Sequence, residues 1–156
     1  MVSEETYAKA VAQMAELNRA GSEIAGKYEV HSITDVTGFG LMGHTGEMAN
    51  GGNVTAVIES ANVPLLPEVL SLAEIGILPE GMYRNRNFAE PFSESAPSVT
   101  RAMMDVLFDP QTSGGLLLAV AEKDAPALLA ELTDKVPHAA RIGYVTEKQG
   151  CAVRVV

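Results

Sequence analysis

The sequence is poor in cysteine, in long apolar runs and in basic residues, and each of these shortages argues against a class of protein. Cys151 is the only cysteine, so the chain forms neither an internal disulfide nor a cysteine zinc cluster. No apolar run approaches the roughly 20 residues that span a bilayer, and the N-terminal residues lack the features of a signal peptide. The 11 basic residues are outnumbered by 20 acidic ones, and the net charge of −9 argues against a broad surface for nucleic acid or anionic membranes. We therefore expect a cytoplasmic protein with no direct nucleic-acid or membrane contact.

The remaining composition fits a folded domain with helices and strands interleaved along the chain. The 156 residues suit a single domain, 1–156, with a sizeable core. Apolar spacing predicts helices over 3–27, 41–49, 61–75, 99–107 and 123–136, and strands over 30–34, 53–60, 116–121, 141–145 and 152–156. The strand over 116–121 is fully apolar and is predicted to be buried, whereas 76–97 is predicted to be irregular. This order predicts an α/β (α+β) fold, a mixed β-sheet covered by helices.

A first glycine-rich turn, Asp35–Gly40, lies between a predicted strand and a predicted helix. The stretch Gly38–Gly43 matches G-x-G-x-x-G, and Glu59 follows 19 residues after Gly40, which imitates a dinucleotide-binding fingerprint. Polar residues interrupt the preceding strand, however, and the acidic Asp35 would face a pyrophosphate. The same turn also suits a carboxylate that holds Mg²⁺ against phosphate oxygens. In a third interpretation Asp35 only caps the turn.

A second turn, Asp109–Gly115, contains Thr112, Ser113, Gly114 and Gly115 in succession. Small residues with free backbone amides can form an anion-binding nest. The same residues can equally form a tight connection between a helix and a strand, where glycine permits close approach. The residues alone leave both possibilities open.

Both turns resemble signatures of one enzyme family. The run I-T-D-V-T-G-F-G-L-M-G-H over 33–44 closely resembles the signature of selenophosphate synthetase (selenide, water dikinase). The run D-P-Q-T-S-G-G-L-L over 109–117 resembles the family's second signature, and Leu78–Gly81 with Arg84 and Asn85 resembles its middle segment. The resemblance covers nearly the whole chain in the right order. It implies the fold of the C-terminal domain of aminoimidazole ribonucleotide synthetase-like proteins.

The resemblance also implies a reaction, cofactors and partners. Selenide, ATP and water give selenophosphate, AMP and phosphate in the presence of Mg²⁺, and the product serves selenocysteine biosynthesis. The family implies a homodimer and an N-terminal domain that carries most of the ATP site and a catalytic cysteine or selenocysteine. We expect that domain to lie outside this chain, because Cys151 does not match the nucleophile's place and is expected to be structural. The isolated chain is therefore predicted to be inactive, and the alternative to an enzyme domain is a stand-alone binding module of this fold.

The resemblance assigns site residues one by one. Asp35 matches the aspartate of the D-V-T-G-F-G turn and is implied to be a Mg²⁺ ligand. The residues expected to shape the turns or to approach the phosphates of ATP are Thr37, Gly38, Gly40, Thr112, Ser113, Gly114 and Gly115. No catalytic residue is expected in this chain.

Three kinds of residue lie outside these assignments. His44 falls on a predicted helix, where a hydrogen-bonded structural histidine is favoured over a catalytic base. Arg84 and Arg86 either meet an anionic substrate or are solvated loop residues. The methionines at 14, 42, 48, 103 and 104 are interpreted as core residues.

Overall fold

The computed structural model describes residues 2–156. The described residues form seven α-helices: α1 (Glu4–Ala15), α2 (Arg19–Ala25), α3 (Gly40–Gly51), α4 (Val69–Glu74), α5 (Glu80–Ala89), α6 (Arg101–Leu107) and α7 (Ala125–Lys135). They also form six strands: β1 (Val30–Asp35), β2 (Val54–Ile58), β3 (Ser93–Ser95), β4 (Leu116–Val120), β5 (Gly143–Glu147) and β6 (Val153–Val155). No helix within residues 2–156 combines the length and apolar character that crossing a membrane requires.

The strands form two sheets. β1 and β4 make an antiparallel pair in which Asp35 lies opposite Leu116. The larger sheet has the order β3-β6-β2-β5, where β6 runs parallel to both of its neighbours and β5 runs antiparallel to β2. The predicted mixed sheet with helices is confirmed, although the strands are divided between two sheets.

The main core lies between the larger sheet and helices α3, α5 and α6. Met42 of α3, Met82 of α5 and Leu107 of α6 are essentially inaccessible to solvent and pack with Val153 and Val155 of β6. A smaller cluster joins α2 to α7 through Ile24, Leu128 and Leu132. The glycine turns of interest lie where β1, α3 and β4 meet.

Two predicted helices are shorter or more divided than expected. The helix predicted over 3–27 is two helices, because the backbone is extended at Glu16 and α2 then turns Ile24 towards α7. The helix predicted over 61–75 is a short 3₁₀ turn followed by α4. Pro64 and Pro67 lie between them, and proline cannot donate the hydrogen bonds of a continuous helix.

The prediction of irregular structure over 76–97 is wrong. This segment contains α5, a second 3₁₀ turn and β3. Gly81 and two asparagines weaken the helical signal, but burial of Met82 and Ala89 outweighs it, since both are fully inaccessible. Packing therefore decides the structure here rather than local propensity.

The prediction of a fully buried strand over 116–121 is also wrong. All five residues of β4 are partly exposed. Within the described residues β4 has one neighbouring strand, β1, instead of two. A strand at the edge of a two-stranded sheet keeps part of its surface in solvent even when its sequence is apolar.

Candidate functional site

The first turn places one carboxylate at the end of a strand. Asp35 is the last residue of β1, and α3 begins five residues later at Gly40. The Asp35 side chain is exposed, and its carboxylate has no hydrogen-bond or ion-pair partner within residues 2–156. A charged group placed in this way is available to a ligand or to another domain.

The two glycine turns, separated by the residues from 41 to 108, are bonded to each other through their backbones. Val36 N–H donates to the Gly115 carbonyl at 2.9 Å, and Gly114 N–H donates back to the Val36 carbonyl at 2.9 Å. Gln111 N–H donates to the Thr37 carbonyl at 3.1 Å. We call this pair of turns, Asp35–Gly40 with Asp109–Gly115, the turn junction.

Two glycines of the turn junction are required by close approach of backbone. Gly40 has φ +70°, and a Cβ there would lie 2.8 Å from the Asp109 carbonyl oxygen and 2.9 Å from that of Phe108. A Cβ at Gly114 would lie 2.8 Å from the Val36 carbonyl oxygen. By contrast, a Cβ at Gly38 would meet nothing within 4 Å. Close backbone contacts therefore explain why residues 40 and 114 are glycines, without any role in binding a ligand.

A buried amide on α5 ties both turns together. Asn85 Nδ2 donates to the Gly38 carbonyl at 2.8 Å and to the Phe108 carbonyl at 2.9 Å, and the residue is 8% exposed. Sequence reasoning gave Asn85 no role, because α5 was not predicted and its position could not be placed near the turns. The polar residue inside an otherwise apolar helix face is the signal that would have found it.

A histidine at the start of α3 is held from both ring nitrogens. His44 Nε2 lies 3.3 Å from Thr37 Oγ1, and His44 Nδ1 lies 3.1 Å from Glu47 Oε2. The ring is buried, and its centroid lies 5.7 Å from that of Phe39. The expected hydrogen-bonded histidine is observed, and it contacts the first glycine turn directly.

The second turn presents its middle residues outward. Thr112 is exposed and Ser113 is partly exposed. Within residues 2–156 neither backbone N–H has a hydrogen-bond acceptor, whereas the N–H of Gly114 is bonded. Beside them, Gln111 Nε2 donates to Asp109 Oδ2 at 2.8 Å, and burial raises the pKa of the Asp109 carboxyl. In this turn the backbone groups of Gly114 and Gly115 are hydrogen-bonded to Val36, whereas the N–H groups of Thr112 and Ser113 have no acceptor within the described residues.

Comparison with known proteins identifies the family. The model for "AIR synthase related protein, C-terminal domain" matches residues 2–156. The chain belongs to this family. It is 41% identical over 157 residues to selenide, water dikinase 2 of Peptoclostridium acidaminophilum, covering all of this chain and 45% of that protein. It is 42% identical over 158 residues to selenide, water dikinase of Porphyromonas gingivalis ATCC 33277, again covering 45% of the relative.

Solved structures agree with this family on the fold. E. coli HypE superposes with a TM-score of 0.58 at 23% identity, covering 81% of this chain and 31% of that one. The hydrogenase maturation protein HypE in complex with ATP gives a TM-score of 0.54 at 24% identity, covering 87% and 33%. The chain therefore spans less than half of the length of the curated relatives and the solved structures that it matches.

The described residues of this AIR synthase-related domain do not form a complete metal site. Among residues 2–156 no three His, Cys, Asp or Glu side chains cluster closely enough to hold a metal ion. Asp35 is nevertheless an unpaired, exposed carboxylate, the kind of oxygen ligand that Mg²⁺ prefers. The residues present therefore fit a contribution of ligands to a shared site and do not fit a self-sufficient one.

The arginines expected in a loop both lie on α5 and have partners. Arg86 forms a buried ion pair with Asp105, and its guanidinium lies 5.3 Å from the Tyr83 ring centroid. Arg84 pairs with Glu80 at 2.6 Å in an exposed contact within the helix. The expected loop placement is wrong for both arginines, although Arg84 is solvent-exposed as one of the two alternatives expected. Arg86 instead pairs with Asp105 and holds α5 against α6.

The topology does not support the dinucleotide-binding alternative. That fingerprint requires a parallel strand–helix–strand unit, but β1 and β2 lie in different sheets. Glu59, which would bind a ribose, instead pairs with Arg141 at 3.1 Å and accepts a hydrogen bond from Asn62 at 3.0 Å. Within this pattern Gly40 lies against the backbone of the second turn, and Gly43 leaves room for the Phe39 side chain.

Proposed function

We propose that this chain is the C-terminal domain of a selenide, water dikinase. That enzyme makes selenophosphate, AMP and phosphate from selenide, ATP and water. The support is identity of about 40% over the whole chain with curated proteins of that name. The two signature runs at 33–44 and 109–117 support the same assignment.

The observation that carries the proposal is the turn junction. Two runs that resemble separate signatures of this family are bonded to each other, with the Asp35 carboxylate exposed where they meet. Close backbone approach alone explains Gly40 and Gly114. It does not explain the exposed, unpaired carboxylate of the first turn or the backbone amides at 112 and 113 of the second turn, which have no acceptor within residues 2–156. A shared phosphate site explains all three features together.

In this proposal Asp35 contributes to holding Mg²⁺ together with carboxylates of an N-terminal domain. When bound, Mg²⁺ would neutralise charge on the phosphate oxygens of ATP. The residues forming the wall beside it are Thr37, Gly38, Gly40, Thr112, Ser113, Gly114 and Gly115. The proposal includes ATP and selenide as substrates, the N-terminal ATP-binding domain as partner in the same enzyme, and a homodimer as its assembly.

A chimaera tests the proposal. The C-terminal part of the Peptoclostridium acidaminophilum relative is replaced by this chain, and phosphorus NMR follows ATP, AMP, phosphate and selenophosphate with selenide present. We expect selenide-dependent AMP and selenophosphate from the chimaera and none from the isolated chain, because the isolated chain lacks a complete metal site. A folded, dimeric chimaera that makes no selenophosphate contradicts the proposal, and so does turnover by the isolated chain.

Asp35→Asn in the chimaera tests the metal ligand. The amide keeps the shape and removes the charge, so we expect a large loss of selenophosphate formation with little loss of stability, since the Asp35 carboxylate has no partner within the described residues. Asp134→Asn on α7, an exposed aspartate, is the matched control and should leave activity unchanged. Equal activities of the two variants would remove Asp35 from the site.

A further inference from the structure

The environment of His44 determines which of its ring nitrogens carries hydrogen. Glu47 lies 3.1 Å from Nδ1, and an ionised carboxylate can only accept hydrogen bonds. Nδ1 must therefore carry hydrogen. In a neutral imidazole Nε2 is then the unprotonated nitrogen, so at 3.3 Å the Thr37 hydroxyl donates to it. Glu47 thereby fixes the direction of the next hydrogen bond along the chain of groups.

This direction has a consequence for the Thr37 oxygen. A hydroxyl has one hydrogen and two lone pairs, and here the hydrogen is committed to His44. The remaining capacity of Thr37 Oγ1 is to accept a hydrogen bond or to ligate a cation. The reverse arrangement, with the imidazole donating to Thr37, would leave Nδ1 without hydrogen against the Glu47 carboxylate.

Thr37 and Asp35 share one side of the chain. Val36 between them donates to Gly115 and accepts from Gly114, so the strand pairing continues through Val36. Successive side chains of extended backbone point to opposite sides. Val36 is buried at 5% exposure, which places its two neighbours on the opposite, accessible side, about 6.6 Å apart along the strand. On that side Asp35 is exposed and Thr37 is partly exposed, so both side-chain oxygens can be reached by a ligand.

We propose that Thr37 Oγ1 is a second oxygen ligand, in addition to Asp35, for a divalent cation. His44 and Glu47 are positioning residues: they hold the hydroxyl hydrogen of Thr37 on the side of His44, so that a lone pair of the oxygen is left for the cation. This inference rests on the proposed function for the cation's role in catalysis, but the pair of ligands is a property of this chain alone. Metal ligands are generally oriented by outer hydrogen-bond partners, and the hydrogen-bonded series Glu47–His44–Thr37, here called the relay, would orient Thr37 in that way.

The first experiment measures the tautomer of His44. Nitrogen-15 NMR of the labelled chain, at a pH where histidine is neutral, distinguishes protonated from unprotonated ring nitrogens. We expect the Nδ1–H form for His44, and in Glu47→Ala a shift towards the Nε2–H form. Exposed His31 serves as the reference in the same spectra. An Nε2–H form in the unaltered chain, or no change in Glu47→Ala, would overturn the relay.

The second experiment measures cation binding directly with Mn²⁺, which shares the oxygen-ligand preference of Mg²⁺ and broadens nearby NMR signals. The chain offers only part of a shared site, so binding should be weak, but titration should still broaden the amide signals of 35–38 first. Thr37→Val, which keeps the shape without the hydroxyl, should weaken the binding, and Thr37→Ser should restore it. Glu47→Ala should weaken it by about 10-fold, whereas Glu74→Ala on α4 should not.

Equal Mn²⁺ affinities of Thr37→Val and the unaltered chain would overturn the proposal, and so would absence of broadening at 35–38 in the unaltered chain. The variants' amide spectra report whether the fold is retained, so a loss of binding is not confused with unfolding. The outcome is separable from that of the proposed function. An inactive chimaera with intact Mn²⁺ and tautomer results refutes the dikinase assignment alone, and an active chimaera with negative NMR results refutes the relay alone.

Discussion

The turn junction and helix α1 both have clear sequence signals, but the turn junction is tightly bonded to the rest of the fold, whereas the apolar side chains of α1 are largely exposed. The turn junction is bonded through backbone groups of both turns and through the buried amide of Asn85. Helix α1 has an apolar stripe at helical spacing, but Tyr7 is 66% exposed and Met14 is 49% exposed. Thr6 is the one residue of α1 that is buried.

The difference shows what each kind of signal specifies. A glycine at a position where a Cβ would lie 2.8 Å from a carbonyl specifies both a local conformation and a particular contact. An apolar stripe specifies a helix and a side of it, but not the surface against which it packs. Helix α1 instead contacts the rest of the chain through a polar attachment at Glu68. The following predictions test this contrast.

The largest effect is expected from Gly40→Ala. The alanine would have to keep the left-handed backbone conformation of Gly40, and its Cβ would overlap the carbonyl groups of Phe108 and Asp109. The backbone strain and the overlap together should lower the free energy of unfolding by roughly 2–4 kcal/mol. Urea denaturation of the purified variant measures the loss. Gly38→Ala is the matched control in the same turn, because nothing lies within 4 Å of its Cβ position, and equal losses would contradict the close-approach argument.

The next effect is expected from Asn85→Asp. The carboxylate has the shape of the amide but cannot donate, so the carbonyls of Gly38 and Phe108 lose their bonds and face a negative charge. We expect a loss of about 2–3 kcal/mol, with chemical-shift changes in both turns. Asn87→Asp introduces the same charge at an exposed position of the same helix and should change stability by less than about 0.5 kcal/mol.

Much of the fold around the site was predictable because its signals are local. The strand at 30–34, the helix at 41–49 and the strand at 53–60 are confirmed as β1, α3 and β2. β-branched residues and the double glycine after Asn50 mark these elements in the sequence. Cys151, which was expected to be structural, is buried. The assignments of Asp35 and the turn residues to a metal or phosphate site remain predictions.

The failure at α5 has a clear physical cause, which is that long-range packing outweighs local preference. Helix α5 contains Gly81, a poor helix former, because a Cβ there would lie 2.9 Å from Pro110 Cγ. The residue that weakens the local helical signal is therefore the one that lets α5 approach the second turn. Neither this contact nor the bonds of Asn85 can be deduced from spacing, since their partners lie 23 to 47 residues away.

The attachment of α1 should depend on pH. The Glu68 carboxylate accepts hydrogen bonds from the Ser3 and Thr6 hydroxyls at 2.6 Å each, and these bonds hold its pKa below the ordinary value of 4.5. A lowered pKa in the folded state means that the stabilisation is fully present above 4.5 and is lost as the pH falls through the lowered value. Acidification should therefore free α1 before the turn junction is disturbed.

Amide hydrogen exchange of residues 4–15 at falling pH, corrected for intrinsic exchange rates, measures this release. Glu68→Gln should already show weaker protection of α1 at neutral pH, because the amide lacks the charge that strengthens both bonds. Glu74→Gln, an exposed glutamate on α4, is the control. Unchanged protection of α1 in Glu68→Gln would show that apolar contacts hold the helix after all.

The smallest effect is expected from Met14→Ala, although the sequence pattern makes Met14 look like a core residue. The prediction that it is one is wrong, since Met14 is 49% exposed, whereas Met42 is fully buried. Truncating an exposed side chain changes the free energy of unfolding by less than about 0.5 kcal/mol, whereas Met42→Ala should cost about 2–5 kcal/mol. Urea denaturation of both variants measures the contrast. A cost for Met14→Ala approaching that of Met42→Ala would mean that α1 is packed like the core, and the contrast drawn between helix and junction would fail.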